Sequence, residues 1–439
     1  MHNLPGVELK IVGDSAGVRL NSGWMLASRS LRTLVAAVYF ALLARSLGVS
    51  GYGAFAGACA MAGILAPFAT LGTGNLLIEA VARERREFPQ RWANCLVLTL
   101  ISGLCFTAIA VSLRPFVLPR SVPTSMVLSI ALAELLFARL IDVAGMAFQA
   151  IEQLRITASI NLALSFTRMV AAGALLAAFP HATPGDCSIL YLLSTIVPAF
   201  AGLWLVTRRI GRPALQAVYN RKHFLHGLYF SVSLSAQTIY NDIDKTMLAR
   251  ISGIGAAGLY SAAYRIVDAA FSPVSAVLAS TYARFFQHGE HGLARSANFG
   301  KRVLARAAIY SAFAGVAIWA AAPLLPSVLG KQFSESVVAL RMLSPLLLFR
   351  SMHYLAADSL TGAGYQGTRT ALQIFIAVVN VALNFAMLPR YSWRGAVWTS
   401  LGCDGALALL LWIAVWILCA RERQAATSGQ LESNAAAQA

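Results

Sequence analysis

Long apolar stretches alternate with short polar connections along almost the whole chain of 439 residues. A transmembrane helix needs roughly 20 mostly apolar residues to cross a bilayer, and no connection here is long enough for a soluble domain. The pattern predicts an all-α integral membrane protein with about twelve transmembrane helices. The predicted spans cover residues 20–47, 53–81, 92–113, 123–150, 156–179 and 187–207 in the first half, and 223–251, 256–283, 300–325, 334–362, 369–388 and 395–420 in the second.

One passage occurs twice, each time where one apolar stretch ends and the next begins. Residues 43–55 (LARSLGVSGYGAF) return as residues 248–260 (LARISGIGAAGLY), 205 positions later. Two copies in the same order are typical of transporters built from repeated halves, with the substrate site between them. We therefore predict two pseudo-symmetric six-helix bundles, residues 20–212 and 213–420. The matched residues are Leu43/Leu248, Ala44/Ala249, Arg45/Arg250, Gly48/Gly253 and Gly53/Gly258, and Pro67 and Pro273 match at an offset of 206.

Composition and charge agree with a bilayer environment. Hydrophobic residues make up 58% of the chain and charged residues only 12%, with a mean hydropathy of +0.66. The net charge of +17 does not indicate a nucleic-acid partner, because Lys and Arg fall mostly in the connections on one side of the predicted membrane. By the positive-inside rule, the even-numbered connections and both termini are cytoplasmic, and the repeated corner faces outward.

The two ends of the chain carry no predicted span. Residues 1–19 lack the continuous apolar core of a cleavable signal peptide and are predicted to be a retained cytoplasmic segment. Residues 421–439 are mostly polar or small and show no periodicity. Such a composition favours a disordered cytoplasmic tail.

Sequence signatures of enzymes and cofactors do not fit this chain. The six cysteines lie far apart without CxxC or Cys/His spacing, so neither a disulfide nor a metal site is expected. No P-loop or dinucleotide fingerprint occurs. The DxD of Asp242, Ile243 and Asp244 lies inside an apolar span, and the sequence contains no segment that reads as a nucleotide-binding soluble domain. We predict no catalytic residues and no cofactor, and expect transport to depend on a gradient or on substrate flow rather than on ATP.

Three passages of the chain resemble a known family. They are ALLARSLGVSGYGAFAGA at the first corner, YNDIDKTMLARISGIGAAGLYSAAYRI in the seventh and eighth spans, and NVALNFAMLPRYSWRGAVW from Asn380 to Trp398. With these passages, the chain resembles the Wzx-type polysaccharide or O-antigen flippases of the multidrug/oligosaccharidyl-lipid/polysaccharide (MOP) exporter superfamily. The middle passage is the most specific, because the family is similar in having an aspartate, here Asp244, shortly before the corner.

The resemblance implies a function and a location. Members of this family move undecaprenyl-pyrophosphate-linked oligosaccharides from the cytoplasmic to the outer leaflet of the bacterial inner membrane, for exopolysaccharide or lipopolysaccharide biosynthesis. The expected partners are this lipid-linked substrate and membrane lipid. Polymerase and chain-length regulator proteins are candidate partners.

Arginines at membrane depth are the candidates for binding a pyrophosphate. A charge there costs about 2.5–3.5 kcal/mol on insertion scales, so it is rarely without a role, and a guanidinium donates paired hydrogen bonds to phosphate oxygens. Local ion pairs three residues apart, with Asp142 and Asp268, are an alternative for two of them, and snorkelling to lipid headgroups is an alternative for the two in the first span. We predict a cationic central cavity with Arg29, Arg32, Arg139, Arg168 and Arg265 as candidates.

Carboxylates within the spans are candidates for coupling transport to an ion gradient. A buried carboxylate can carry a proton, and a cluster can hold sodium. Asp244 is the strongest candidate from its depth in the seventh span. The alternative is that Asp242 pairs with Lys245 and that Asp244 stabilises a helix contact. The candidates for ion coupling are Asp244, Glu134, Asp142 and Asp268.

Prolines within the spans suggest hinges. Pro67 and Pro273 occupy matching positions in the two halves, and Pro345 interrupts the tenth span. An interior proline removes a backbone hydrogen bond and bends a helix, which fits halves that rock about a central site, although prolines are also common in static transmembrane helices.

Three other functions remain open on the sequence. A multidrug or cation antiporter of the same superfamily would need a cavity dominated by carboxylates. A membrane oligosaccharide polymerase or ligase usually carries a long outer loop, whereas every outward connection here is short. A purely structural membrane subunit is disfavoured by the buried charges.

Overall fold

The fold was analysed in a computed structural model that describes the backbone of residues 15–178, 183–214, 238 and 240–438. Side chains are described for residues 31–81, 84–178, 183–214, 238 and 240–424. Every regular element in these ranges is helical. The protein is therefore an all-α membrane protein, as the hydropathy pattern predicts.

The first half of the chain forms long helices joined by tight turns. A 3-10 turn at Arg85–Glu87 precedes the third helix, and a π-helical turn at Leu132–Phe137 interrupts the fourth predicted span. The helices are α1 (Ser15–Thr70), α2 (Thr73–Arg83), α3 (Phe88–Val117), α4 (Thr124–Ala131), α5 (Ala138–Ala150), α6 (Leu154–Ala178) and α7 (Pro184–Arg209).

The second half repeats this plan with one span, the tenth, again divided. Two 3-10 turns, Ala322–Leu324 and Lys331–Phe333, flank a short helix. The helices are α8 (240–251), α9 (Ile254–Gly289), α10 (Leu293–Ala321), α11 (Leu325–Leu329), α12 (Ser336–Leu343), α13 (Leu346–Gly362) and α14 (Gln366–Gln438).

These helices account for the twelve predicted spans. Seven continuous stretches of the described chain are long and apolar enough to cross a membrane. Two of them, Leu31–Val81 and Gln366–Gln424, contain two spans each, because α1 turns at Gly48 and α14 turns at Ser392. The remaining three spans are the fourth and the tenth, which are divided into shorter helices, and the seventh, of which only the end is described.

The repeated corner has the same backbone conformation in both halves. Gly48 adopts φ 61° between the two segments of α1, and Gly253 adopts φ 95° between α8 and α9. Positive φ is readily adopted by glycine, which has no Cβ to clash with the backbone. The duplicated glycines therefore let two successive spans meet in a turn only a few residues long.

The two copies of the corner also meet each other. A Cβ added to Gly53 would stand 1.8 Å from the carbonyl oxygen of Ile254, and one added to Gly258 would stand 2.0 Å from that of Val49. Backbone therefore packs directly on backbone where α1 crosses α9. This crossing joins the two bundles at the end that the charge distribution places outside.

Two arginines of the repeat reinforce the same end across the bundle boundary. Arg45 donates from Nε to the Val328 carbonyl at 2.5 Å and from Nη2 to the Ser327 carbonyl at 2.6 Å. Arg250 donates from Nε to the Phe116 carbonyl at 3.2 Å. All three carbonyls belong to the last turn of α11 or α3, where helical acceptors lack intrahelical partners. Each half thus caps a helix of the other half.

Hydrophobic packing separates the core from the lipid surface. One core cluster contains buried residues of both halves, while two others lie within the first and second halves. Ile309, Phe313 and Val316 of α10 are 73, 73 and 67% exposed. Their spacing places them on one face of the helix, so this face is turned toward the lipid.

Pro67 and Pro273 both lie inside helices, but the chain breaks at Leu71 and Gly72, four and five residues after Pro67, whereas α9 continues through Pro273. A hinge role for the two prolines stays a prediction. One expectation needs correction. The segment 421–439, expected to be disordered, continues α14 as helix to Gln438. Its Ala, Gln and Glu residues have high helix propensity, and they extend a helix that is already nucleated.

Pro345 lies where the sequence places an interruption. It is the N-cap of α13, directly after α12 ends at Leu343. The tenth span is therefore divided there, and a hinge role for this position stays a prediction.

A glycine-to-alanine pair tests the corner contact. Gly53→Ala is expected to destabilise the protein by about 1–3 kcal/mol, because its methyl group must displace backbone. Gly402→Ala in α14 is the matched control, because a Cβ there meets no atom within 4 Å; it is expected to be neutral or to stabilise by up to about 1 kcal/mol. The thermal unfolding midpoint in detergent, followed by tryptophan fluorescence, measures both. Equal midpoints for the two variants would contradict the direct backbone packing.

Candidate functional site

A polar cavity of about 270 Å³ lies between the two bundles, below the corner contact. The first and second segments of α1 supply aromatic and apolar walls, including Tyr39, Tyr52 and Phe55. The charged groups of the lining come from the π turn of the fourth span and from α6, α8 and α9. They are Glu134, Arg168, Asp242, Lys245, Arg265 and Asp268.

On the first-bundle side, Glu134 and Arg168 form an ion pair at 2.7 Å, each with 18% of its side chain exposed. Tyr191 of α7 donates to the same carboxylate oxygen, and the guanidinium of Arg168 lies 4.2 Å from the centre of the Tyr191 ring. Arg168 also donates to the Thr195 hydroxyl at 3.3 Å. Hydrogen bonds and a cation–π contact thus hold this pair in place.

A local backbone feature accompanies Glu134. The residue lies in the π turn Leu132–Phe137, between α4 and α5. A π turn adds a residue to one helical turn, so it shifts the face on which the following side chains lie, and such turns are frequent at functional sites. Hydropathy does not reveal it, because the turn leaves the span length nearly unchanged.

On the second-bundle side, Lys245 forms an ion pair with Asp242 at 2.7 Å. This is the local pair that the spacing of the two residues allows. The Lys245 ammonium also lies 4.0 Å from the centre of the Tyr264 ring. The cation is thereby held against the cavity wall.

Arg265 differs from the other cations of the cavity. Its side chain is exposed to the cavity, and it forms no hydrogen bond or ion pair with any residue whose side chain is described. The neighbouring Asp268, expected as its local partner, is bound instead by Arg350 of α13 at 2.7 Å. Arg265 therefore has donors free for an anion in the cavity.

The predicted excess of positive charge is wrong for the described lining. Three cations face three carboxylates there, and two of the cations are paired within the cavity wall. The physical reason is desolvation: charges between two apolar bundles require nearby counter-charges. Positive potential is therefore concentrated at Arg265 rather than spread over the cavity.

Two other candidate arginines, Arg139 and Arg32, lie away from the described lining. Arg139 pairs with Asp142 at 2.7 Å, the local alternative that their spacing allows, and donates to the Glu134 carbonyl at 3.1 Å. Arg32 is exposed and does not contribute to the cavity wall. The side chain of Arg29 lies outside the described residues.

Asp244 does not reach the cavity. It is 2% exposed and accepts hydrogen bonds from Tyr260 and, at 3.2 Å, from Ser400. These partners belong to α9 and α14, so Asp244 ties α8 to two neighbouring helices. This arrangement corresponds to the helix-contact alternative. Tyr191 and Lys245, which do face the cavity, were not predicted as site residues, and a single sequence contains no signal that singles out Tyr191.

A bound metal finds no ready ligand set in this part of the protein. Among residues with described side chains, no group of three or more His, Cys, Asp or Glu is arranged to hold one. The arrangement is suited to binding an anion by a guanidinium and sugar or lipid groups by aromatic side chains.

Comparisons with known proteins agree with this architecture. Residues 18–287 match a protein family described as "Polysaccharide biosynthesis protein". Comparison with curated proteins finds no match. An inward-facing multidrug resistance MATE family transporter of the MOP superfamily superposes with a TM-score of 0.73, at 17% identity over 90% of this chain and 96% of that chain. An outward-facing conformation gives 0.61, at 16% identity over 90% and 94%.

A third structure is a MOP superfamily transporter from Pyrococcus furiosus, described as having a binding pocket of reverse polarity. It gives a TM-score of 0.64 at 15% identity, over 90% of this chain and 94% of that chain. The fold is thus that of the MOP transporters, with twelve transmembrane helices in two bundles.

The Glu134–Arg168 pair can be tested by removing its members singly and together. Glu134→Gln or Arg168→Gln alone should destabilise the protein by about 3 kcal/mol, because each leaves an uncompensated charge at membrane depth. The double variant should be more stable than either single variant, because no net charge remains. Arg139→Gln is the control and should cost less than about 1 kcal/mol, because its pair with Asp142 is partly exposed. Thermal unfolding midpoints in detergent measure all four. A double variant less stable than both single variants would contradict a coupled ion pair.

Proposed function

Because the chain belongs to the polysaccharide biosynthesis protein family and has the MOP transporter fold, we propose that it flips an undecaprenyl-pyrophosphate-linked oligosaccharide. The movement would be from the cytoplasmic to the outer leaflet of a bacterial inner membrane, with both termini in the cytoplasm. Its product would feed exopolysaccharide or O-antigen synthesis. Polymerase and chain-length regulator proteins are proposed partners in that process.

The observation that carries the proposal is the free guanidinium of Arg265. A pyrophosphate diester is a compact anion that a guanidinium binds through two parallel hydrogen bonds. Arg265 faces the cavity and forms no hydrogen bond or ion pair with any residue whose side chain is described. Arg168 and Lys245 lie on the same cavity and add cations that an entering pyrophosphate could share with Glu134 and Asp242.

The size of the cavity limits which part of the substrate it encloses. A volume of about 270 Å³ is near the lower end of the range for ligand pockets, about 300–1,000 Å³. The pyrophosphate and its first sugar match that space. The polyprenyl chain would remain in lipid, entering between helices, and a longer glycan would require the bundles to separate further.

Closure of the outer end supports transport by alternating access. The crossing of Gly53 and Gly258 and the hydrogen bonds of Arg45 and Arg250 join the bundles above the cavity. Release to the outer leaflet would require these contacts to open, as halves rock about a central site. Arg29 and Arg32 are proposed as an entry site on the cytoplasmic side, because they lie on one helix face in the first span.

A second candidate function is export of cationic drugs or other cations. It is favoured by the three carboxylates in the cavity lining, Glu134, Asp242 and Asp268, and by the fold shared with MATE transporters. Against it, each of these carboxylates already contacts a basic side chain at 2.7 Å. A polymerase or ligase receives no support from the described outer connections; for example, α3 and α4 are joined only by residues 118–123.

A reconstituted flipping assay tests the proposal. Full-length protein is placed in liposomes with undecaprenyl-pyrophosphate-N-acetylglucosamine, and external galactosyltransferase modifies only the sugar exposed outside. We expect wild type to bring the inner-leaflet pool to the enzyme, and Arg265→Gln to slow this about tenfold, because charge-assisted hydrogen bonds are lost. Arg341→Gln is the control, since Arg341 contacts Trp319 near the outer surface rather than the cavity.

Two outcomes would contradict the flippase. One is an inner pool that stays inaccessible in wild type while an organic cation is exported from the same liposomes, which supports the antiporter. The other is equal flipping by wild type and Arg265→Gln, which removes the observation on which the proposal rests.

Crosslinking tests the proposed movement of the outer end. The cysteine pair Gly57→Cys/Ala249→Cys joins the two bundles, with Cβ positions 3.1 Å apart, close to the 3.5–4.5 Å typical of disulfides. Oxidation is expected to stop flipping, and reduction to restore it. The control pair, Ala144→Cys/Gly202→Cys, has Cβ positions 3.4 Å apart within the first bundle. It should crosslink without stopping flipping, in a background where the six native cysteines are replaced. Undiminished flipping by the crosslinked first pair would contradict the alternating-access scheme.

A further inference from the structure

A buried cluster of ionisable side chains lies in the second bundle, behind the cavity wall. Its central members are Arg350 and His353 of α13 and Asp404 of α14, which are 6, 3 and 2% exposed. None was a predicted site residue. Charged groups inside a membrane protein are costly and mark functional pathways more often than passive structure.

The contacts form a continuous chain from the cavity into the bundle. Asp268, in the cavity wall, lies 2.7 Å from Nη1 of Arg350. The Nε of Arg350 lies 3.9 Å from Oδ2 of Asp404, and Oδ1 of Asp404 lies 3.2 Å from Nε2 of His353. The hydroxyl of Tyr240 in α8 donates a hydrogen bond to Asp404. Arg350 is thus shared between a carboxylate that faces the cavity and one that is buried.

The charges of this cluster do not balance with a neutral histidine. Around Arg350 and Lys245, the described part of the second bundle holds four carboxylates, Asp242, Asp244, Asp268 and Asp404. With Arg350 and Lys245 as the two cations, these groups carry two negative charges in excess. When the cavity-facing Arg265 is included, the excess is one negative charge. In a low-dielectric interior such an excess favours uptake of a proton. An imidazole beside Asp404 can accept it.

His353 has an available position for that proton. Its Nδ1 atom is buried and has no hydrogen-bond partner among the described residues, whereas its Nε2 faces Asp404. Neutral histidine has one donor and one acceptor nitrogen, and protonation makes both donors. The added charge would lie directly against the Asp404 carboxylate.

Among the residues whose side chains are described, Arg350 is the cation that contacts Asp404 beside His353. From α9, Tyr264 and Asp268 contact Arg350, and from α10 the hydroxyl of Ser311 contacts Ser351. The ring of Tyr354 packs 4.4 Å from the imidazole, and Cys403 adjoins Asp404 in α14. The charged groups on the network are therefore Asp268, Arg350 and Asp404.

We propose that His353 and Asp404 form a proton-binding site, and that its occupancy is transmitted to the cavity through Arg350 and Asp268. With His353 protonated, Asp404 is neutralised and Arg350 is held by Asp268. With His353 neutral, Asp404 competes with Asp268 for Arg350. The negative charge of Asp268, which lies beside Arg265, is then less well compensated. Proton binding therefore favours an anion at Arg265, and by linkage an anion favours the proton.

The proton site itself does not depend on the proposed function, whereas its effect on substrate binding does. The first measurement is accordingly made without substrate. Full-length protein labelled with ¹⁵N-histidine is placed in nanodiscs, and the ring signals of its seven histidines are followed from pH 8 to pH 5. His353→Gln assigns the signal, and His291→Gln, at an exposed turn, is the control that leaves it unchanged.

The expected result is conversion of His353 to imidazolium within this pH range. In Asp404→Asn the imidazolium population at a given acid pH should fall about tenfold, because an opposite charge within hydrogen-bonding distance is removed. A His353 ring that remains neutral in one tautomer throughout would overturn the proposal. That result can be obtained with wild type alone, so it does not depend on the folding of any Asp404 variant.

The second measurement is binding of undecaprenyl-pyrophosphate-N-acetylglucosamine at pH 6 and pH 8. This probe is esterified at both ends of the pyrophosphate, so it lacks the ionisation near pH 6 of a terminal phosphate. Wild type is expected to bind about tenfold more tightly at pH 6, within the usual range of coupling between sites, and His353→Gln to lose the difference. Equal binding at both pH values by a wild type whose His353 titrates would overturn the coupling. A probe that binds at neither pH would refute the proposed function, and the histidine titration would still decide the proton site.

Discussion

The direct packing of Gly53 on Gly258 is the constraint on which the arrangement of the two bundles depends. At this crossing the backbones of α1 and α9 approach so closely that neither position has room for a Cβ. The aromatic walls of the cavity lie just below it, because Tyr52 and Phe55 flank Gly53 in the sequence. The contact therefore closes this end of the cavity and sets the distance between the surfaces that line it.

The halves are similar in fold but differ in how they neutralise charge. At the cavity wall of the first bundle, Glu134 and Arg168 form a compact pair supported by Tyr191. The second bundle holds an extended network in which Arg350 contacts two carboxylates. The duplication therefore preserved the corner and the helix count, while the interiors diverged. A pseudo-symmetric frame can therefore hold two unlike charged interiors.

Features with a local cause were predictable from the sequence. Span lengths follow from apolar runs, and the corners follow from glycines that recur with the LAR element and adopt positive φ. The pair Asp242–Lys245 follows from its spacing of three. Partners on different helices were not predictable, because Glu134 meets Arg168 across 34 positions of sequence. Glu134 also lies in a π turn that hydropathy does not detect. Asp268 illustrates the limit, since it binds Arg350 of another helix rather than Arg265 one turn away.

The crossing of the two corners has one more consequence, which concerns how such a chain can arise. Gly53 and Gly258 are copies of each other, and so are Arg45 and Arg250, each of which caps a helix of the opposite half. An interface in which the same patch meets its own copy is isologous, as in two-fold symmetric homodimers. A chain of half this length, with six spans and therefore with both copies inserted in the same orientation, already carries both sides of the contact. Gene fusion would then need to add only a covalent connection between subunits that were complementary beforehand.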